Sequence, residues 1–155
     1  MHYDFQLADR RVRLWQRPGE SYEHVLMKAL GYAMYVAEFP DLEIEARVGL
    51  RYRPDLSART DDPRRPPFAF WGECGLVSMR KVGWLLKHAG VERLVLFKMT
   101  AQTQMLIAAL RATVAARYRP PGRLMLVNFV ADVATLSADR RVARVPQSWY
   151  TLTVV

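Results

Sequence analysis

The sequence predicts a single-domain α/β protein over residues 1–155, with a mixed sheet flanked by helices and an N-terminal hairpin. Three observations predict it. Tyr22, Val25, Leu26, Ala29, Leu30, Ala33 and Met34 recur at helical spacing. Ile44, Ala46, Val48 and Leu50 alternate with Glu43, Glu45, Arg47 and Gly49, as in a strand with one buried face. From Phe68 onward, short apolar runs alternate with helix-length segments, so the middle of the chain reads α-β-β-α-β-α-β. At 155 residues and 51% hydrophobic, the chain suits one core and is too short to need two.

Taken in order, Tyr3 to Leu7 and Arg11 to Trp15 flank Ala8-Asp9-Arg10 as a short hairpin, which Pro18-Gly19 ends. A helix runs from Glu20 to about Glu38, stopped by Phe39-Pro40-Asp41. The alternating strand at residues 43–50 follows. Tyr52 to Pro67, with Pro54, Pro63, Pro66 and Pro67, reads as a mobile loop between two strands. Phe68 to Cys74 has strand character closed by Gly75, and Ser78 is placed to cap a helix from Met79 to about His88. The remainder reads as strand Arg93 to Lys98, a helix from about Ala101 to Arg117 capped by Thr100, strand Arg123 to Val130 and strand Trp149 to Val154.

Composition restricts the functions available. A formal net charge of +8 gives a surface that attracts polyanions and loses that attraction in salt. Most of the cations are arginine, whose planar fork suits phosphate oxygens. Nucleic acid is therefore the expected partner, with an acidic protein as the other candidate. Cys74, the single cysteine, excludes an internal disulfide and a multi-cysteine metal site. The apolar runs are far shorter than a bilayer span, and the N-terminus lacks the pattern of a secretory signal, so a cytoplasmic protein without a membrane partner is expected.

Glu73 interrupts an otherwise apolar strand, in Trp71-Gly72-Glu73-Cys74-Gly75, and a buried carboxylate is costly unless something positive meets it. Strand pairing would bring Asp55, of Pro54-Asp55-Leu56, back beside it. Two carboxylates at neighbouring strand ends suit a hard divalent metal, Mg2+ or Mn2+, held together with a phosphodiester. The plainer readings are a turn at Pro54-Asp55 and an arginine pair for Glu73. Glu23, in the first turn of the first long helix, is either a surface acid or a third acid of the site. Arg80 and Lys81 stand in the first turn of a helix, where the macrodipole disfavours cations. A carboxylate cluster or a phosphate would account for them. His24 and His88 read as surface or stripe-edge residues, and Trp71 and Trp84 as core.

Arg17-Pro18-Gly19-Glu20 with Glu23, then Pro54-Asp55-Leu56, then Phe70-Trp71-Gly72-Glu73-Cys74-Gly75-Leu76 followed by Met79-Arg80-Lys81, resembles the YaeQ family, which belongs to the PD-(D/E)XK nuclease superfamily. The resemblance implies a restriction-endonuclease-like core with Asp55 and Glu73 on the metal and Glu23 as a further acid. The wider superfamily carries a lysine two residues after the strand glutamate. Here that position is Gly75, and Arg80 or Lys81 would be the substitute. The expectation is a Mg2+- or Mn2+-dependent nuclease with Asp55, Glu73, Lys81, Arg80 and Glu23 as site residues. The alternatives are an inactive nuclease-fold protein that binds nucleic acid or a transcription complex, and a protein-protein adaptor.

Overall fold

β1 (His2–Leu7) and β2 (Arg10–Trp15) form the hairpin, with Ala8 in the left-handed region (φ 52°) making the tight turn between them. In the computed structural model, which describes residues 1–155, this hairpin belongs to a separate small sheet. Its third strand is β8 (Arg141–Val142), which runs parallel to β1 with Leu7 opposite Val142. The main sheet has six strands in the order β3-β4-β5-β6-β7-β9, namely Glu43–Ile44, Leu56–Arg59, Phe68–Cys74, Leu94–Lys98, Leu124–Phe129 and Tyr150–Val154. β5, β6 and β7 are parallel and the outer pairs antiparallel, so the sheet is mixed and the fold is α/β.

Helix α1 (Tyr22–Tyr35) buries every residue from Val25 to Ala33, a wider face than the single stripe read from its periodicity. A helix buried all round has neighbours on both sides. α1 lies between the small sheet and the main sheet, in a core shared by Phe5, Leu7 and Leu14 with Phe70, Val95, Phe97 and Val127. Its approach to the main sheet is close enough that a Cβ at Gly31 would stand 2.8 Å from Leu56 Cδ1. α2 (Met79–His88) and α3 (Thr103–Thr113) cover the opposite face, over Trp71, Leu94, Leu96 and Leu126. A four-residue α4 (Val133–Leu136) leads into β8.

Several boundaries differ from the sequence reading, each for a local reason. The alternating run at residues 43–50 forms a strand only at Glu43–Ile44. Glu45 takes a left-handed conformation (φ 54°) and its carboxylate turns inward to Lys28, which ends the ladder. The proline-rich stretch contains β4, paired antiparallel with β5, Leu56 opposite Gly72. Asp55 therefore precedes a strand instead of following one, and its backbone N–H donates to the Gly72 carbonyl. α1 starts at Tyr22, with Ser21 as the cap accepting from the His24 N–H. α3 starts at Thr103, and the Thr100 hydroxyl accepts from the Gln102 N–H before the helix instead of capping it. No helix is long and apolar enough to cross a membrane.

Candidate functional site

The site lies where β5 and β6 end and α1 and α2 begin. The β4–β5 register sets Asp55 at the last turn of β5, where its Oδ2 accepts from the Cys74 backbone N–H at 2.8 Å. Glu73 is one residue back, on the face that β5 presents to α2. Its Oε1 accepts from Trp71 Nε1 at 2.8 Å and its Oε2 from Lys81 Nζ at 2.8 Å. The Glu73 side chain is only 5% exposed, and that burial pushes its pKa up. The bonds from Lys81 and Trp71 oppose the rise, and the nearby Asp55 carboxylate adds to it.

The structure separates the two cations of the α2 first turn. Ser78 caps α2 by accepting from the Lys81 N–H, and the helix turn then aims Lys81 at Glu73 while Arg80 faces solvent without an ion pair. Lys81 also lies 5.1 Å from the centre of the Tyr52 ring, between that ring and the carboxylate. Glu23 makes no hydrogen bond or ion pair with Asp55 or Glu73. It is exposed and lines a groove beside them. The α1 residue that reaches Asp55 is His24, with Nε2 3.4 Å from Asp55 Oδ1 and 3.5 Å from Glu20 Oε1.

Behind His24 runs a charged network that the sequence reading missed. Lys28, 1% exposed, donates to Glu20 Oε1 at 2.7 Å and to Glu45 Oε1 at 3.2 Å. Burial disfavours its charge, but the two carboxylates outweigh this and hold its pKa above the ordinary value. Glu20 is half-buried, which raises its pKa, yet Lys28 and the Arg17 N–H hold it below the ordinary value. Glu20, which precedes the Ser21 cap of α1, is thus part of a brace beside His24.

The groove itself has a volume of about 790 Å³, between the start of α1, the β5–α2 turn and the β6–α3 turn. Lys98, the last residue of β6, lies in it, with Met27, Leu76, Met99, Met105 and Leu106 supplying apolar wall. Lys98 is 9% exposed and its Nζ donates to the Gly75 carbonyl. Gly75 has φ 74°, and a Cβ there would stand 3.0 Å from His24 Nδ1. A side chain at residue 75 is therefore strained and crowded, which gives a physical reason for the glycine.

The oxygen donors suit a magnesium-like ion. Asp55 and Glu73 are both carboxylates, and each keeps lone pairs beyond those its bonds use. No group of three or more His, Cys, Asp or Glu residues is placed to hold a metal ion. A pair of carboxylates alone would leave most of such an ion's shell to water and to a substrate's phosphate.

No family model matches the sequence, and no curated protein matches it. Among solved structures the chain is similar to the YaeQ protein from Xanthomonas axonopodis pv. citri, with 20% identity, a TM-score of 0.60, and coverage of 88% of this chain and 77% of that one. It is also similar to the YaeQ protein from Pseudomonas syringae, with 16% identity, a TM-score of 0.65, and coverage of 99% and 88%. At these identities the likeness speaks for architecture. The chain has the fold of the YaeQ proteins, the fold to which its motifs pointed.

Proposed function

We propose that this protein is a Mg2+- or Mn2+-dependent phosphodiesterase acting on nucleic acid, built on a PD-(D/E)XK-type core. One observation supports the reading: Asp55, just before β4, accepts from the Cys74 N–H at the end of β5, and Glu73, one residue back on β5, accepts from the Lys81 ammonium. Asp55 and Glu73 would hold the ion. When bound, it would polarise a phosphoryl oxygen and lower the pKa of coordinated water. Lys81, fixed between Glu73 and Tyr52, would offset charge that develops on the phosphoryl oxygens. Trp71 keeps the Glu73 carboxylate in one orientation, and the Cys74 N–H does the same for Asp55. The net charge of +8 supports a polyanionic substrate.

Labelled DNA and RNA incubated with Mg2+ or Mn2+ test this directly. Cleavage by the parent is expected, and Glu73→Ala should lower its rate by at least about a hundredfold. Intact substrate in every combination would reject the reading.

A second reading has its own support. Both Glu73 oxygens and both Asp55 oxygens already have protein partners, and a lysine at residue 75 would be strained and crowded. A catalytically silent module that binds nucleic acid fits those contacts. It predicts salt-dependent binding that is unchanged by EDTA, without cleavage.

A further inference from the structure

Lys98 is the one deeply buried cation of the fold that no carboxylate neutralises. Lys28, buried more deeply, has Glu20 and Glu45, and Lys81 has Glu73. The ammonium of Lys98 spends one of its three donors on the Gly75 carbonyl, and the residue lines the groove. The register explains its aim. In the parallel pair β5–β6, Trp71 faces Leu94 and Glu73 faces Leu96, so Lys98 comes next on the face that carries Glu73. Its acidic neighbours are the Cys74 thiol, which burial keeps protonated, and Glu73, which Lys81 already engages. Burial drives the pKa of Lys98 down, the opposite of Lys28. A buried charge left without a counter-ion is costly, and such costs concentrate at sites that await a ligand.

An independent feature stands at the same wall. α1 and α2 have serine caps, whereas α3 begins at Gln102 with no side chain accepting from its first turn and no acid within that turn. Thr100, Gln102, Met105 and Leu106 from this start line the groove with Lys98. Asn128, opposite Lys98 on β7, accepts from the Thr100 N–H and donates to the Thr100 carbonyl and the Thr103 hydroxyl, so the turn is held rigid. Free N–H groups at a helix start favour an anion. The acids in the groove lining do not cancel this attraction, because Glu20 is neutralised by Lys28 and Glu23 is exposed at the rim.

We infer that Lys98 and the uncapped first turn of α3 form an anion subsite that takes a phosphoryl group in the groove beside Asp55 and Glu73. Its use by a nucleic-acid substrate rests on the phosphodiesterase reading; the anion binding does not. The subsite provides charge and N–H donors to phosphoryl oxygens, and the apolar wall of Leu76, Met99 and Met105 receives the group attached to the phosphate.

The test is a titration of the full ¹⁵N-labelled chain with inorganic phosphate, without divalent metal. Saturable shifts are expected at the amides of Thr103, Gln104 and Met105. Lys98→Met should weaken binding by about tenfold or more, since a charge-assisted bond is lost. Lys98→Arg should retain most of it, and Glu23→Gln should tighten it. Competition by a short oligonucleotide lacking terminal phosphates would identify a diester backbone as the ligand, whereas competition by a 5′-mononucleotide alone would identify a terminal phosphate; either result supports the subsite. Thermal unfolding separates binding from folding. Lys98→Met should melt at or above the parent temperature, because it removes an uncompensated charge. Phosphate shifts that are absent or elsewhere, or a Lys98→Met protein that melts lower and binds phosphate like the parent, overturn the proposal. A parent that binds phosphate here but cleaves no nucleic acid fails the hydrolase reading alone.

Discussion

Lys28 and Lys98 are the same residue type, both buried and both within reach of the candidate site, yet the fold treats them in opposite ways. Lys28 sits mid-helix between two sheets, with Glu20 at 2.7 Å and Glu45 at 3.2 Å, and its charge is fully met inside the protein. Lys98 sits at a strand end facing a groove, with a backbone carbonyl as its partner. The first is built for stability and for holding Glu20 against His24. The second costs stability and presents charge to whatever enters the groove. A buried cation thus reveals its role by whether its counter-charge lies inside the chain.

The strongest way to break the contrast is Lys28→Met. It strands Glu20 and Glu45 without their cation, and the expected loss is about 3 kcal/mol, read as a lower denaturant midpoint at unchanged slope. A loss no larger than that of Lys98→Met would abolish the distinction. Gln102→Asp sharpens it at smaller scale, by giving α3 an anion of its own. Stability should rise by about 0.5 kcal/mol while phosphate binding weakens, both measurable on one sample. The smallest expected effect belongs to an ion pair in solvent. Arg13, hydrogen-bonded to Asp4, holds that carboxyl at about 2, below its ordinary 3.8, with Arg11 assisting. A carboxyl with a lowered folded pKa stabilises the fold above pH 3.8 and loses that contribution as pH falls through about 2. Asp4→Asn should therefore flatten the stability profile between those limits and leave the groove unchanged. An acid limb identical to the parent's would show that the pair contributes nothing.

Much of the scaffold was legible because short-range rules set it. Ser78 and the apolar spacing of Val82, Leu85 and Leu86 fix α2, and the run Phe68 to Cys74 fixes β5. The pairing of Asp55 with the end of β5 was anticipated, although the order of strand and acid was reversed, because four residues of β4 lie hidden among prolines. The failure at residues 45–50 has the same origin as the missed network. Alternation assumes that a polar residue faces solvent, and Glu45 faces Lys28 instead. His24 read as a stripe-edge residue because nothing local ties it to Asp55, a partner 31 residues away. One signal for Lys98 was present. The chain has 19 arginines and four lysines, and three of those lysines, Lys28, Lys81 and Lys98, lie at or behind the candidate site, the first two on carboxylates and the third on the Gly75 carbonyl. Where arginine is the general-purpose cation, a lysine marks a place that needs a compact, single-point charge.

Gly75 makes the groove's charge a loan from the adjoining strand. Because a side chain at residue 75 is strained, acid and ammonium come from separate segments, held together by the ladder between β5 and β6 and by the Lys98 bond to the Gly75 carbonyl. A slip of one residue in that ladder would send Lys98 to the far side of the sheet and leave the carboxylates in place. Partial opening of the β6 end would thus disarm the groove before the protein unfolds, so its competence to bind anions reports on the integrity of a single strand junction.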